Sequence, residues 1–156
     1  MQRTISPFLA VVLASGAAGC QARPVTPEGQ AKAFFERYRD LETRYDPAIA
    51  DLYADSAIVR KFMLRSSGDT LYGFATTGAM FKSSFRDDAA AAKGRGARNR
   101  YSDVSYTRDG NHVRVTMRRY QEPPGVELGQ IWWVGPDADG QWRIWKELAQ
   151  VPGSRP

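Results

Sequence analysis

The sequence predicts an α+β domain: a cone-shaped, curved antiparallel β-sheet with three N-terminal helices packed on its concave side. Three observations carry this. Apolar residues recur at helical spacing from Ala31 to Tyr45. The stretch Asp46 to Met63 reads as a short helix running straight into a strand. From Asn99 the pattern changes to period two, punctuated by three tight turns.

The elements follow in order. Thr26 can cap a helix, and Pro27 sits where its missing N–H costs nothing. Ala31, Phe34, Phe35, Tyr38, Leu41 and Tyr45 then form one apolar face, with Lys32, Glu36, Arg37, Arg39 and Asp40 opposite. Asp46-Pro47 repeats the start signal for a second, shorter helix with Ile49, Leu52 and Tyr53 on its buried edge, ended by Asp55-Ser56. Ala57-Ile58-Val59 opens a strand that runs through Arg60 and Lys61 to Leu64. Ser66 to Asp69 is a turn, and Thr70 to Tyr72 a short return strand. Thr76 or Thr77 caps a third helix that buries Met80, Phe81 and Phe85. Ala89 to Arg98, with small residues, two glycines and clustered positive charge, reads as a mobile loop or one that begins as a frayed helix end. Four strands follow, roughly 99–108, 112–121, 126–134 and 141–149, separated by Asp109-Gly110-Asn111, Pro123-Pro124-Gly125 and Asp137 to Gly140.

The totals suit one domain, expected over 27–150 with a tail at 151–156: the chain has 156 residues, 42% hydrophobic and 12% aromatic. Residues 1–19 read as a secretory leader. Met1-Gln2-Arg3 is a positive start, Leu9 to Ala14 an apolar centre too short for a membrane span, and Ser15 to Gly19 a run of small residues before Cys20. Cys20 is the only cysteine, so no internal disulfide is expected. Ala17-Ala18-Gly19-Cys20 resembles the lipobox of bacterial lipoproteins, with Ala17 where Leu is commoner. That resemblance implies lipidation at Cys20, a tether over 20–26 and, because Gln21 rather than Asp follows, an outer-membrane anchor facing the periplasm. Ordinary cleavage beside Gly19 would instead leave a free thiol. Without the leader, 21 basic residues stand against 17 acidic ones, a mildly basic balance that demands no particular partner.

The segment Asp46-Pro47-x-Ile49-x-x-Leu52-Tyr53-Ala54-Asp55-x-Ala57-Ile58-Val59, with Gly73 and the closing Gly140-Gln141-Trp142-Arg143-Ile144, resembles the nuclear transport factor 2-like superfamily. That superfamily includes SnoaL-like polyketide cyclases and ketosteroid isomerase. The resemblance implies the cone fold over about Ala31 to Leu148 and leaves the activity to be argued from the site. In ketosteroid isomerase a helical Tyr and a protonated Asp hold the oxyanion while a second Asp is the base. By resemblance Tyr38 stands near that Tyr. The base position falls on Lys61, and the strand expected to supply the other acid reads Gln130-Ile131-Trp132-Trp133.

Other chemistries find few residues. The single histidine, His112, sits beside a hairpin turn and reads as a solvent-exposed strand start. No metal site, cofactor or nucleic-acid partner is expected, although the basic run Lys93, Arg95, Arg98, Arg100 could touch lipid phosphates. Lys61 would be a base or an anion anchor inside the cone; otherwise it snorkels to water or pairs with Glu147 or Asp103. Trp132 and Trp133 alternate sides, so one of them needs cover on the outer face, and a second copy, as in a sheet-to-sheet homodimer, is the expected cover. The expected function is an envelope-anchored, non-catalytic binding or accessory module with a pocket formed by Phe34, Tyr38, Tyr53, Lys61, Met117 and Trp132. The alternative is a SnoaL-like enzyme acting on a small hydrophobic molecule through Tyr38 and Lys61. A third possibility is a structural dimer whose cone is filled by its own aromatics.

Overall fold

Helix α1 spans Pro27–Thr43 because its two ends and one face are specified by the sequence. The Thr26 hydroxyl accepts the Gly29 amide at 3.1 Å, and Ala31, Phe34, Phe35, Tyr38 and Leu41 are buried at three- and four-residue spacing. The computed structural model describes residues 25–64 and 70–152. The leader, Cys20, the turn Ser66 to Asp69 and the last residues of the tail lie outside the described residues.

α1 stops two residues short of Tyr45. The amide of Asp46 returns to Leu41 O and that of Tyr45 to Glu42 O, which puts Tyr45 in the left-handed region at φ 56. A side chain is strained there, and the Tyr45 hydroxyl donates to Ala97 O at 2.7 Å, a long-range contact that holds the conformation. The expected second helix is a 3-10 segment, Pro47–Leu52, capped by Asp46. It ends earlier than expected, since Tyr53–Ser56 already belong to strand β1 (Tyr53–Leu64). The tighter turn buries Ile49, Ala50 and Leu52 within six residues, too few for a stable α-helix.

β2 (Thr70–Thr77) is longer than the expected return strand and includes Gly73. Thr77 is the cap of α2 (Gly78–Gly94). The expected loop from Ala89 is therefore helical almost to its end. Its alanines are good helix formers, and the stop comes at Gly96 (φ 63), where the amides of Gly96 and Ala97 bond back to Lys93 O and Ala92 O. β3 (Arg98–Asp109), β4 (His112–Glu122), β5 (Val126–Pro136) and β6 (Trp142–Pro152) lie close to the expected bounds.

The six strands form one sheet in the order β2-β1-β6-β5-β4-β3. Neighbours are antiparallel except β1 and β6, which pair in parallel, so the sheet is mixed. Period-two alternation reports that a strand exists, not which way its neighbour runs. Register breaks at Tyr53/Ile58, Ser102/Ser105 and Trp133/Val134 add local twist and bend the sheet around α1. Trp132, fully buried, is the centre of the core, with the rings of Tyr38 at 4.6 Å and Phe35 at 5.8 Å.

Candidate functional site

The concave face is laid out in rows by the strand register. One row, Val113–Val134–Ile144–Tyr53, is apolar up to the Tyr53 hydroxyl. The next, Val115–Trp132–Glu147–Val59, brings in a carboxyl group. The third, Met117–Gln130–Ala149–Lys61, holds two polar groups, and Arg119 lies beyond it on β4. The face thus grades from dry to polar. At its polar end lies a cavity of about 510 Å³, walled by α1 (Tyr38, Glu42), α2 (Phe81, Phe85) and the sheet (Tyr53, Arg119, Glu147). The cone is not filled by its own aromatics.

Two carboxyl groups, Glu147 buried and Glu42 half-buried, organise this end. Glu147, 1% exposed, accepts the Tyr53 hydroxyl at 2.5 Å and the Gln130 amide at 3.0 Å. Glu42 accepts Asn99 at 2.8 Å, Tyr101 at 2.9 Å and 3.0 Å, and Arg119 at 3.2 Å. Burial, and then the negative charge of Glu42, push the Tyr38 hydroxyl well above its ordinary pKa. Burial and Glu147 do the same to Tyr53. Burial opposes the charge of Arg119, yet the neighbouring carboxylates of Glu42 and Glu147 favour it and the guanidinium stays protonated. The tyrosines and Arg119 are therefore donors at any physiological pH.

Both carboxyl groups accept hydrogen bonds within the protein, and the buried Nε of Arg119 has no hydrogen-bond partner. Gln130 Oε1 and Trp132 Nε1 are likewise unpartnered. Among the described residues no group of three or more His, Cys, Asp and Glu could hold a metal ion.

Of the six residues expected in the pocket, Tyr38, Tyr53 and Lys61 line this cavity. Phe34, Met117 and Trp132 are buried in the core. Lys61 points to the concave side but stays exposed at the rim, its Nζ 5.5 Å from the Phe81 ring centroid, in no ion pair with Glu147 or Asp103. His112 is half-buried against Trp145, with ring centroids 5.9 Å apart, rather than solvent-exposed. The strand Gln130–Trp133 carries no acid, and its Trp132 pairs with Glu147 on β6. Sequence reasoning missed Glu147, Glu42 and Arg119 as site residues. Their signal was present only as inward parity on strands and helix, once the register is known.

The sequence matches no family model and no curated protein. Solved structures do match. A protein of unknown function from Pseudomonas putida KT2440, described as nuclear transport factor 2-like, superposes with a TM-score of 0.62 at 14% identity, over 80% of this chain and 86% of that one. The chain has the nuclear transport factor 2-like fold. A candidate dehydratase of that fold from Streptomyces avermitilis gives a TM-score of 0.58 at 16% identity, over 81% and 98% of the two chains. A candidate ketosteroid isomerase from Parabacteroides distasonis gives 0.55 at 11%, over 81% and 88%. At these identities the nuclear transport factor 2-like fold is what is shared.

Proposed function

We propose that this protein is an envelope-anchored lipoprotein whose cone binds one small, largely apolar molecule by a polar, hydrogen-bond-accepting end and does not transform it. The observation that carries this reading is a cavity of about 510 Å³ whose polar lining includes the Tyr38 hydroxyl and Arg119. Glu42 and Glu147 accept hydrogen bonds within the protein, and Tyr38 and Arg119 line the cavity beside them. Phe81, Phe85 and Ile49 offer apolar walls for the rest of the molecule. Native mass spectrometry of the protein purified from its own envelope should find a bound small molecule. Tyr38→Phe, which keeps the ring on Trp132, should weaken its binding roughly tenfold. Protein that never carries a ligand from its envelope would sink the binding reading.

A second reading, a SnoaL-like enzyme, is favoured by one observation: Lys61 lines the same cavity as Tyr38, and Glu147 adds an acid beside Tyr53. A candidate dehydratase and a candidate ketosteroid isomerase share this fold. Incubating the released ligand with the wild-type chain and with Lys61→Met separates the two. Conversion by the first and not the second supports catalysis; an unchanged ligand in both supports binding alone. The anchor is tested by fatty-acid labelling, which Cys20→Ser should abolish.

A further inference from the structure

The two edges of the sheet are built in opposite ways. β3 ends one side, and it carries five charged residues, Arg98, Arg100, Asp103, Arg108 and Asp109. Its register also breaks between Ser102 and Ser105, where Asp103 takes the left-handed region at φ 54. Charges and a bulge keep an edge strand from pairing with another chain. β2 ends the other side with Thr-Leu-Tyr-Gly-Phe-Ala-Thr-Thr, eight residues without a charge or a proline. Its pairing with β1 is unbroken from Tyr72 to Thr77, the register break lying at the Thr70 end. α2 follows directly but turns inward, with Gly78 against Ala54 and Phe81 on Tyr53. It therefore covers β1 and leaves the outer edge of β2 open among the described residues. Phe74 is 46% exposed there, and Met80, in the first turn of α2, is 65% exposed. A regular, uncharged strand whose alternate residues turn N–H and C=O outward is a template for one more strand.

We infer that the β2 edge pairs with the β2 edge of a second copy, antiparallel about a two-fold axis, to make one sheet continuous across both copies. Two properties of the strand favour its own copy as the occupant. A two-fold places the same patch on both sides, so a strand without charge meets no like charge in any antiparallel register over its length. The nearest cations, Arg60 and Lys61, sit one strand in, opposite Ala75 and Phe74. Across the contact they stand about three strand spacings from their copies, roughly 14 Å, beyond the ~8 Å screening length at physiological salt. A strand from a different protein finds no charge on β2 itself to select it over others. The contact uses the edge and not the face of β5 that carries Trp133, so a sheet-to-sheet dimer can form with or without it.

Sedimentation of the purified chain and of its Phe74→Glu variant over a range of concentrations tests this. The new carboxylate faces Lys61 across the β1–β2 pair, which supports the fold, and meets its own copy across the two-fold. The variant should weaken the pairing on the order of tenfold. At concentrations between the two dissociation constants, the largest species should fall to half its mass, with unchanged thermal unfolding at high dilution. Mixing the Phe74→Glu and Phe74→Lys variants should restore the larger species, because opposite charges then meet. Protection of the β2 amides from hydrogen exchange should rise with concentration in the wild type and not in Phe74→Glu. A largest species of equal mass in wild type and Phe74→Glu at every concentration would overturn the proposal and leave the edge to a strand of a different protein. Equal amide protection at low and high concentration would overturn it too. So would a loss that mixing does not restore, since the effect would then belong to the fold of β2 alone.

Discussion

The Tyr53 hydroxyl donates a 2.5 Å hydrogen bond to Glu147 Oε2 across the floor of the cone. Both residues are 1% exposed, so each depends on partners within the protein. Tyr53→Phe should therefore destabilise the fold by about 1–3 kcal/mol, the cost of leaving a buried polar group short of a partner. Urea unfolding measures it. An unchanged midpoint would mean that Glu147 is satisfied by Gln130 alone.

Gly78 sets how close α2 lies to the sheet. A Cβ there would stand 1.9 Å from Ala54 O and 2.9 Å from Ala57 Cβ, and the first of these is backbone that cannot rotate away. Gly78→Ala should push the start of α2 off β1 and cost about 1–3 kcal/mol. Because Phe81 stacks on Tyr53 at 4.7 Å just one turn later, ligand binding should weaken as well. A variant as stable as the wild type, with unchanged binding, would show that α2 seats itself elsewhere at no loss.

The sequence made the fold legible for a reason that these two sites illustrate. Helix caps, the 3-10 start at Asp46-Pro47 and the alternation after Asn99 are local signals, and local signals survive in a single sequence. Glu147 was not legible as the buried acid because its partner, Tyr53, is 94 residues away and meets it across the parallel β1–β6 pair. Arg119 follows another arginine, Arg118, and strand parity turns only the second inward. The end of α2 was misread because Gly94 and Gly96 suggest a loop, while a glycine in the left-handed region is also how a helix ends.

Asp55 ties α2 to β1 through Lys82 at 2.7 Å. The hydrogen bond from Lys82, then its charge, lowers the Asp55 carboxyl below its ordinary 3.8. A carboxyl group with a depressed folded-state pKa contributes stability that is complete above the unfolded value and lost as pH falls through the folded one. The gap in unfolding midpoint between the wild type and Asp55→Asn should therefore be constant at neutral pH and close progressively below pH 3.8. A gap that persists in strong acid would assign the effect to something other than this ion pair. The pair is exposed, so the gap should also shrink with added salt.

Arg119 and Glu42 form the ion pair that faces the cavity, with side chains only 14% and 15% exposed. Removing one partner from such a pair strands the other, which typically costs about 3–5 kcal/mol. The two halves are not equivalent here. Arg119→Met leaves Glu42 with Asn99 and Tyr101 still donating, so its cost should fall at the lower end of that range. Glu42→Leu leaves a buried guanidinium whose Nε already lacks a partner, so it should cost more. The double variant should be more stable than the sum of the singles implies, because it leaves no orphaned charge. Denaturant unfolding of the four chains gives the coupling directly. Additive costs would mean that each group is held by its other neighbours, and that Arg119 is free to meet a ligand without giving up Glu42.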